Sequence, residues 1–264
     1  MYMWGIKDLT NFARNTGRLV DRDTLERWAE DASGRMKPRS FALAGVGVRR
    51  LVTWAIRERK ILDASLVHSV PTAKYERLKI PSTLTPSTLM RLERHLLSMT
   101  RPNLHDLRDR ALFFYVKATA ARVGEILQVE KSRFEGQKVR QKGGGDKYLA
   151  TPPGVAGLIR EYLQARTDDE KWLWIALTPD HTVRKLQPAG VLKIWERLAK
   201  KVGVRRFTTQ ELRHTAATLL VERGHDDTVI MELLGARDNR SIQGYKVIVA
   251  DRLARARADL DVVY

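Results

Sequence analysis

The chain has 264 residues, room for two modest domains, with a formal net charge of +17 at neutral pH and a pI near 10.3. This excess of Lys and Arg fits nucleic acid better than a membrane: no run approaches the ~20 apolar residues of a bilayer span, and no amino-terminal signal pattern is present. Cysteine is absent, which excludes disulfides, thiolate metal sites and cysteine nucleophiles; the six histidines lack ligand-like spacing, so no metal is expected, and the missing targeting signal implies a cytoplasmic, nucleoid-associated place.

Up to about residue 73 the pattern is helical. IKDLTNFARNT (6–16), DRDTLERWAEDAS (21–33) and SFALAGVGVRRLVTWAIRERKI (40–61) repeat apolar residues every three or four positions between Gly- or Pro-containing breaks. In the third, Leu51, Trp54 and Ala55 are expected to face a core. Arg49, Arg50, Arg57, Arg59 and Lys60 then project elsewhere, as a surface that tracks phosphates. Gly45 and Gly47 weaken this helix by roughly 1 kcal/mol each. Residues 74–84 read as a linker, which puts a domain boundary near residue 80: a helical domain over 1–80 and a second domain over 81–264. Thr85 as N-cap and Pro86 at the first helical position then start a helix.

Residues 106–129 form a long helical run, or two helices meeting near Thr119, with Leu112, Tyr115, Val116 and Ile126 suited to a core. FEGQKVRQKGGGDKYLATPP (134–153) reads as a β-hairpin whose Gly-rich tip carries Lys142 and Lys147. It is not a phosphate-binding P-loop, because no Ser or Thr follows GGGDK and no strand-to-helix passage surrounds it. Helices follow over 155–166 and 189–202, separated by the apolar connector WLWIAL (172–177), whose tryptophans sit among aliphatics and read as core.

The densest information lies at 207–245. Thr208 and Glu211 form a capping box, Leu212, Ala216, Leu219 and Leu220 recur at helical spacing, and Gly224 closes the segment. Gln210 and Arg213 share one face of the first turn, beside unpaired backbone N–H groups that favour an anion. Asp226 or Asp227 caps a second short helix ending at Leu234-Gly235, and a polar turn leads to Tyr245 in a helical segment. Residues 251–260 form a last short helix, with Leu253, Ala256 and Leu260 on one side.

Gln-Glu-Leu-Arg-His-Thr-Ala-Ala-Thr (210–218), Leu-Leu-Gly-Ala (233–236) and Tyr245 resemble the carboxy-terminal signature of the tyrosine recombinases, the phage-integrase family: His-x-x-Arg-His, Leu-Gly-His and a nucleophilic Tyr. The spacing matches, but Gln210 stands where His is usual, and Ala236 where His or Trp is usual. Arg122 and Glu125 lie in Ala-Ala-Arg-Val-Gly-Glu-Ile, similar to the family's Thr-Gly-x-Arg-x-x-Glu-Leu, with Ala120 in place of Gly. The fold implied is mainly α with a small β-hairpin or sheet, as a helical core-binding domain and an α+β catalytic domain.

The resemblance implies an enzyme that cleaves and rejoins DNA through a 3′-phosphotyrosine, without cofactor. It would be monomeric when free and act as a homotetramer on DNA through a four-way junction. Arg122 and Arg213 would grip the phosphate, Gln210 would donate to it, Tyr245 would attack, and Lys142 would protonate the leaving 5′-oxygen, with Lys147 in reserve. Lys147, Arg49, Arg50, Arg57 and Arg240 would contact DNA. Gln210 cannot hold a proton near neutral pH, and Ala236 removes a hydrogen bond worth roughly 1–3 kcal/mol. His214, Arg237 or Arg240 would have to compensate, and of these His214 reads as structural, next to the catalytic face rather than on it. With no room for an arm-binding domain, a minimal, Xer-like recombinase is expected. The alternatives are type IB topoisomerase-like nicking and resealing, and a DNA-binding protein of the same fold weakened at Gln210 and Ala236.

Overall fold

The computed structural model describes residues 3–59, 63–70, 80–142, 144–177, 182–236 and 239–260, apart from the side chains at 59, 240, 241 and 257–260. The chain divides into two compact units, Met1–Arg77 and Leu78–Tyr264. Lys60 and Arg237 fall outside the described residues.

The first unit is helical: α1 (Met3–Asn15), α2 (Arg22–Arg35), α3 (Pro38–Trp54, continued by a π-helical turn over Ala55–Arg59) and α4 (Leu66–Ser69). Asp21 caps α2 by accepting from the Thr24 amide, and Pro38 opens α3. Leu9, Leu25, Trp28, Val48 and Val52 fill the core. Gly45 and Gly47 of α3 are buried, and α1 crosses this helix closely: a Cβ on Gly5 of α1 would come within 2.6 Å of the Ala44 Cα. The expected core face of α3 needs correction. Ala44, Val48, Val52 and Ala55 form the buried stripe at three- and four-residue steps, whereas Trp54, two residues beyond Val52 and so on the far side of the helix, is exposed beside Arg50 and Arg57.

The second unit begins with an extended strap over 80–85. Its backbone is pinned onto a later helix by the Leu84 amide, which donates to Thr215 Oγ1 at 2.9 Å, and onto the loop before that helix by Arg205, which donates to the Thr83 carbonyl at 3.0 Å. Thr85 then caps α5 (Pro86–Leu97), as its sequence predicts. The run at 106–129 resolves into α6 (Leu104–Thr119) and the single turn α7 (Val123–Ile126). The break falls at Ala120, a non-glycine residue in the left-handed region at φ 45°. Leu112, Tyr115, Val116 and Ile126 are all fully buried.

The hairpin pairs β1 (Gly136–Arg140) with β2 (Asp146–Ala150) in antiparallel register, Val139 opposite Lys147. Next come α8 (Pro153–Gln164), a second small pair made of β3 (Ile175–Leu177) and β4 (Val183–Lys185), and α9 (Pro188–Val202). Trp174 and Trp195 lie in the core; Trp172 is only half-buried. Thr208 and Glu211 form the predicted capping box of α10 (Thr209–Glu222), and Asp226 caps α11 (Asp227–Leu234), which Gly235 ends at φ 56°. The last two segments predicted as helical are one continuous helix, α12 (Arg240–Leu260), on which Leu253 is exposed. Among the described residues, no helix is long and apolar enough to cross a membrane.

Candidate active site

A helix leaves its last carbonyls without partners, and these carry the negative end of its dipole. The second unit uses two such ends to hold cations. Arg213, one turn into α10, donates from Nη1 to the Ala120 carbonyl at the end of α6 (2.6 Å) and from Nη2 to the Leu234 carbonyl at the end of α11 (2.7 Å). Lys147 of β2 donates to the neighbouring Thr119 carbonyl at 3.1 Å. Two helix C-termini and a hairpin thus fix two side chains that alternative rotamers would otherwise scatter. Both cations are almost fully buried.

Glu125 makes that burial tolerable. Its carboxylate, 2% exposed, accepts from Arg122 Nη1 at 2.8 Å and from the Arg122 amide at 2.9 Å. Its Oε2 also lies 3.9 Å from both Lys147 Nζ and Arg213 Nη1. One carboxylate against three cations leaves the cluster short of negative charge, the condition for binding an anion. Arg213 spends two of its donors on carbonyls and keeps the others for such a ligand. Arg122 is the more accessible guanidinium, its side chain 36% exposed.

The site's electrostatics follow from burial. Desolvation lowers the Lys147 ammonium to about 8, against the opposing pull of Glu125, with Arg213 and Arg122 adding to the drop. Arg213 falls to about 10, first from desolvation and then from the Arg122 charge. Tyr245 of α12 is 3% exposed, seated among Ala120, Ala216, Ala217, Ile230, Leu234 and Ile242. Burial raises its phenol above the ordinary value, while Arg213 and Arg122 pull the other way. An ammonium that gives up its proton near neutral pH, two guanidiniums and a phenol can together grip a phosphodiester, attack it and protonate what leaves.

Arg122, Arg213 and Tyr245 therefore come together, but Lys142 does not join them: it sits exposed in the hairpin turn, and Lys147 occupies the cluster instead. The reason is strand alternation. Lys147 and Leu149 face inward on β2 while Asp146, Tyr148 and Ala150 face out, so an inward Leu149 carries Lys147 in with it. Gln210 is exposed at the start of α10, with its Nε2 3.1 Å from His214 Nε2. His214, which the sequence sets next to the catalytic face, places Nδ1 2.7 Å from the Tyr245 oxygen. The i, i+4 spacing of Gln210 and His214 is the signal that could have found this pair. Ala236 follows the α11 cap and packs against the same small cluster as Tyr245. Beside it, Gly235 turns at φ 56°, where an L side chain is strained, and a Cβ there would lie 2.0 Å from the tip of the Gln141 side chain, so the end of α11 lies against the hairpin.

In the first unit Arg50 and Arg57 are exposed on α3, and the half-buried Arg49 donates to the Val70 carbonyl at 2.7 Å. Arg240 opens α12, its side chain outside the described residues. Among the described residues, no group of three or more His, Asp or Glu could hold a metal ion.

The family model described as "Phage integrase family" matches residues 87–263, and the chain belongs to that family. Its relatives include the tyrosine recombinase XerA of Pyrococcus furiosus, 35% identical over 69% of this chain and 65% of that protein, and the tyrosine recombinase XerD of Listeria innocua, 28% identical over 89% and 82%. The chain thus spans just under two thirds of the length of the XerA relatives it matches. The fold is shared with the XerH site-specific recombinase bound to palindromic difH substrate, with a TM-score of 0.71 at 19% identity over 96% of this chain and 76% of that one. It is shared too with a lambda integrase dimer bound to a core site, with a TM-score of 0.66 at 17% identity over 92% and 86%.

Proposed function

We propose that the chain is a site-specific DNA recombinase that breaks and rejoins strands through a 3′-phosphotyrosine. The observation that carries this reading is the convergence of Arg122, Arg213, Lys147 and Tyr245 from four different elements around Glu125 and the ends of α6 and α11. Arg122 and Arg213 bind the non-bridging oxygens of one phosphodiester and stabilise the charge that grows on it. The Tyr245 oxygen attacks phosphorus, the bond to the 5′-oxygen breaks, and Lys147 gives that oxygen its proton. The energy of the broken linkage is kept in the phosphotyrosine, so no cofactor is needed. Gln210 adds a neutral donor at the phosphate, and Lys142, at the hairpin tip, reaches the DNA backbone rather than the leaving atom.

In this reading residues 81–264 carry the chemistry and residues 1–80 form a helical DNA-binding domain, with Arg49, Arg50 and Arg57 on its phosphate-facing side and Arg240 at the DNA edge of the catalytic domain. XerH and lambda integrase are described in complex with their DNA sites, and the partner here is likewise duplex DNA, on which four copies exchange strands in the cytoplasm, at the nucleoid. The test is to incubate the chain with nicked duplexes of randomised sequence, capture detergent-stable adducts and sequence the attached ends. The adduct is expected at a 3′-end of recurrent sequence and is expected to vanish in Tyr245→Phe; an adduct that persists in that variant overturns the reading.

A further inference from the structure

A phenol that attacks phosphorus must lose a proton, and the groups described so far do not receive it. Lys147 is committed to the leaving oxygen, and the guanidiniums are donors only. The Tyr245 oxygen does have a partner. His214 Nδ1 stands 2.7 Å from it, with the two rings 5.6 Å apart between centroids and inclined at 47°. On the far side of the imidazole, Gln210 brings its amide within 3.1 Å of His214 Nε2. The two ends of a primary amide exchange places on a half-turn, so Gln210 Oε1 can accept from a protonated Nε2, which leaves the Nδ1 lone pair facing the phenolic O–H.

We propose that His214 takes the Tyr245 proton during strand cleavage, with Gln210 holding the imidazole in the tautomer that can do so. The assignment rests on the recombinase reading and deepens it. As the phenolic oxygen bonds to phosphorus and the bond from phosphorus to the 5′-oxygen breaks, the phenolic proton passes to His214 Nδ1, and the departing oxygen takes one from Lys147. On rejoining, the 5′-hydroxyl returns its proton to Lys147, and the leaving phenolate recovers its own from His214. Gln210, which cannot hold a proton itself, thereby serves the imidazole through Oε1 while its NH2 group stays available to the phosphate.

The surroundings support this division of labour. Burial, followed by the Arg213 charge, keeps the imidazole neutral with its pKa lowered to about 4, against the opposing pull of Glu211. The groups facing it are Gln210, Glu211 and Arg213 from its own helix and Tyr245 from α12. A phosphodiester seated on Arg213 offsets the charge that disfavours the imidazolium. The base therefore strengthens only when DNA is in place, and the tyrosine stays protonated and unreactive without it.

The experiment uses the full chain and a nicked duplex recovered from the randomised pool as an adduct of the parent protein. His214→Ala is expected to slow adduct formation about 100-fold. His214→Asn, whose Oδ1 can orient the phenol but cannot keep its proton, is expected to be slow as well. Replacing Tyr245 by 3,5-difluorotyrosine in either variant should restore most of the rate, because a more acidic phenol needs no base. A 5′-bridging phosphorothiolate, which relieves the leaving group, should not. Retention of the duplex by each variant checks that it is folded; if His214→Ala fails this check, His214→Asn decides. Parental rates in His214→Asn, or a deficit that difluorotyrosine leaves untouched, overturn the proposal. No adduct from the parent chain on any duplex overturns the recombinase reading itself, and this assignment with it.

Discussion

The α10 cluster and the exposed face of α3 are both rich in arginine, yet they hold it in opposite ways. Arg213 is buried and bonded to two carbonyls at fixed distances, whereas Arg57 stands in solvent beside an exposed Trp54. A buried cation has already lost its hydration and its rotamer freedom when a ligand arrives, so its charge acts at full strength on a transition state. An exposed one is screened by salt and acts on encounter and grip. The two regions should therefore fail differently: loss of a cluster cation should change rate and stability together, and loss of an exposed face cation such as Arg57 should change salt-dependent affinity alone.

The largest effect is expected from Arg213→Ala. It removes a cation from Glu125 and leaves the Ala120 and Leu234 carbonyls unpaired, so denaturant unfolding should show a loss of about 3 kcal/mol. Adduct formation should fall roughly 1000-fold under conditions where the variant is still folded. A variant as stable as the parent would mean that the cluster is not the preorganised site its geometry implies.

Lys147 separates the cluster from the hairpin tip and should give the next largest effect. Lys147→Ala should slow cleavage about 100-fold and be rescued by a 5′-bridging phosphorothiolate, whereas Lys142→Ala should change the rate only a few-fold. Because the Lys147 ammonium is lowered to about 8, cleavage by the parent should decline above that pH, and the same phosphorothiolate should abolish the decline. The stability linkage has a definite sign. The unfolded chain holds this proton up to 10.5 and the folded chain only to about 8, so the unfolded state binds more protons between those values and stability rises with pH across the window. Below pH 8 the full cost of the buried charge is present. Relative to Lys147→Met, the parent should gain up to about 3 kcal/mol between pH 8 and 10.5 in unfolding experiments. A constant difference would place the titrating amine elsewhere.

These two residues also show what the sequence could disclose. Helix starts at Thr85, Thr208 and Asp226 were legible because a cap is a local device, written within four residues. Arg122 and Arg213 stood out through the resemblance of their segments to the family's motifs, since spacing alone leaves each a solvated helix arginine. The choice between Lys142 and Lys147 was harder, since it depends on which strand face meets the core; only the alternation through Leu149 carries that information. The contact of His214 with Tyr245 joins residues 31 apart in the chain and depends on how α12 crosses α10, which no local pattern encodes. Trp54 departs for a simpler reason: its spacing from Leu51 fits a helical face, but the buried stripe runs through Val48 and Val52 and leaves that angle of α3 outside.

The α3 face gives a smaller expectation, electrostatic at Arg57 and partly structural at Arg49. Arg57→Ala should weaken duplex binding equally for all sequences and reduce the slope of log affinity against log salt by about 0.9, with stability unchanged within about 0.5 kcal/mol. Arg49→Ala should do the same to the slope but also cost about 1 kcal/mol of stability, because Arg49 anchors the Val70 carbonyl. An unchanged slope in both variants would remove α3 from the DNA interface and leave the contrast between the two regions without its second member.

The smallest effect is expected at Ala120, where the two kinds of constraint meet in one residue. Its φ of 45° is a conformation that costs an L-residue about 1 kcal/mol and glycine almost nothing, which fits the Gly of the similar family motif. Yet the Ala120 methyl is fully buried in the cluster that seats Tyr245, and deleting it gives back about 0.8 kcal/mol of apolar burial. The two terms oppose each other and nearly cancel, so Ala120→Gly should leave stability within about 0.5 kcal/mol of the parent. Its effect on rate need not cancel. The carbonyl that fixes Arg213 belongs to this residue, and the missing methyl loosens the seat of the tyrosine on the same side. A few-fold slower adduct at unchanged stability would show that alanine here serves the position of the phenol, whereas parental rate with a gain of a full kcal/mol would show that its methyl does nothing for the site and that the strain is simply carried.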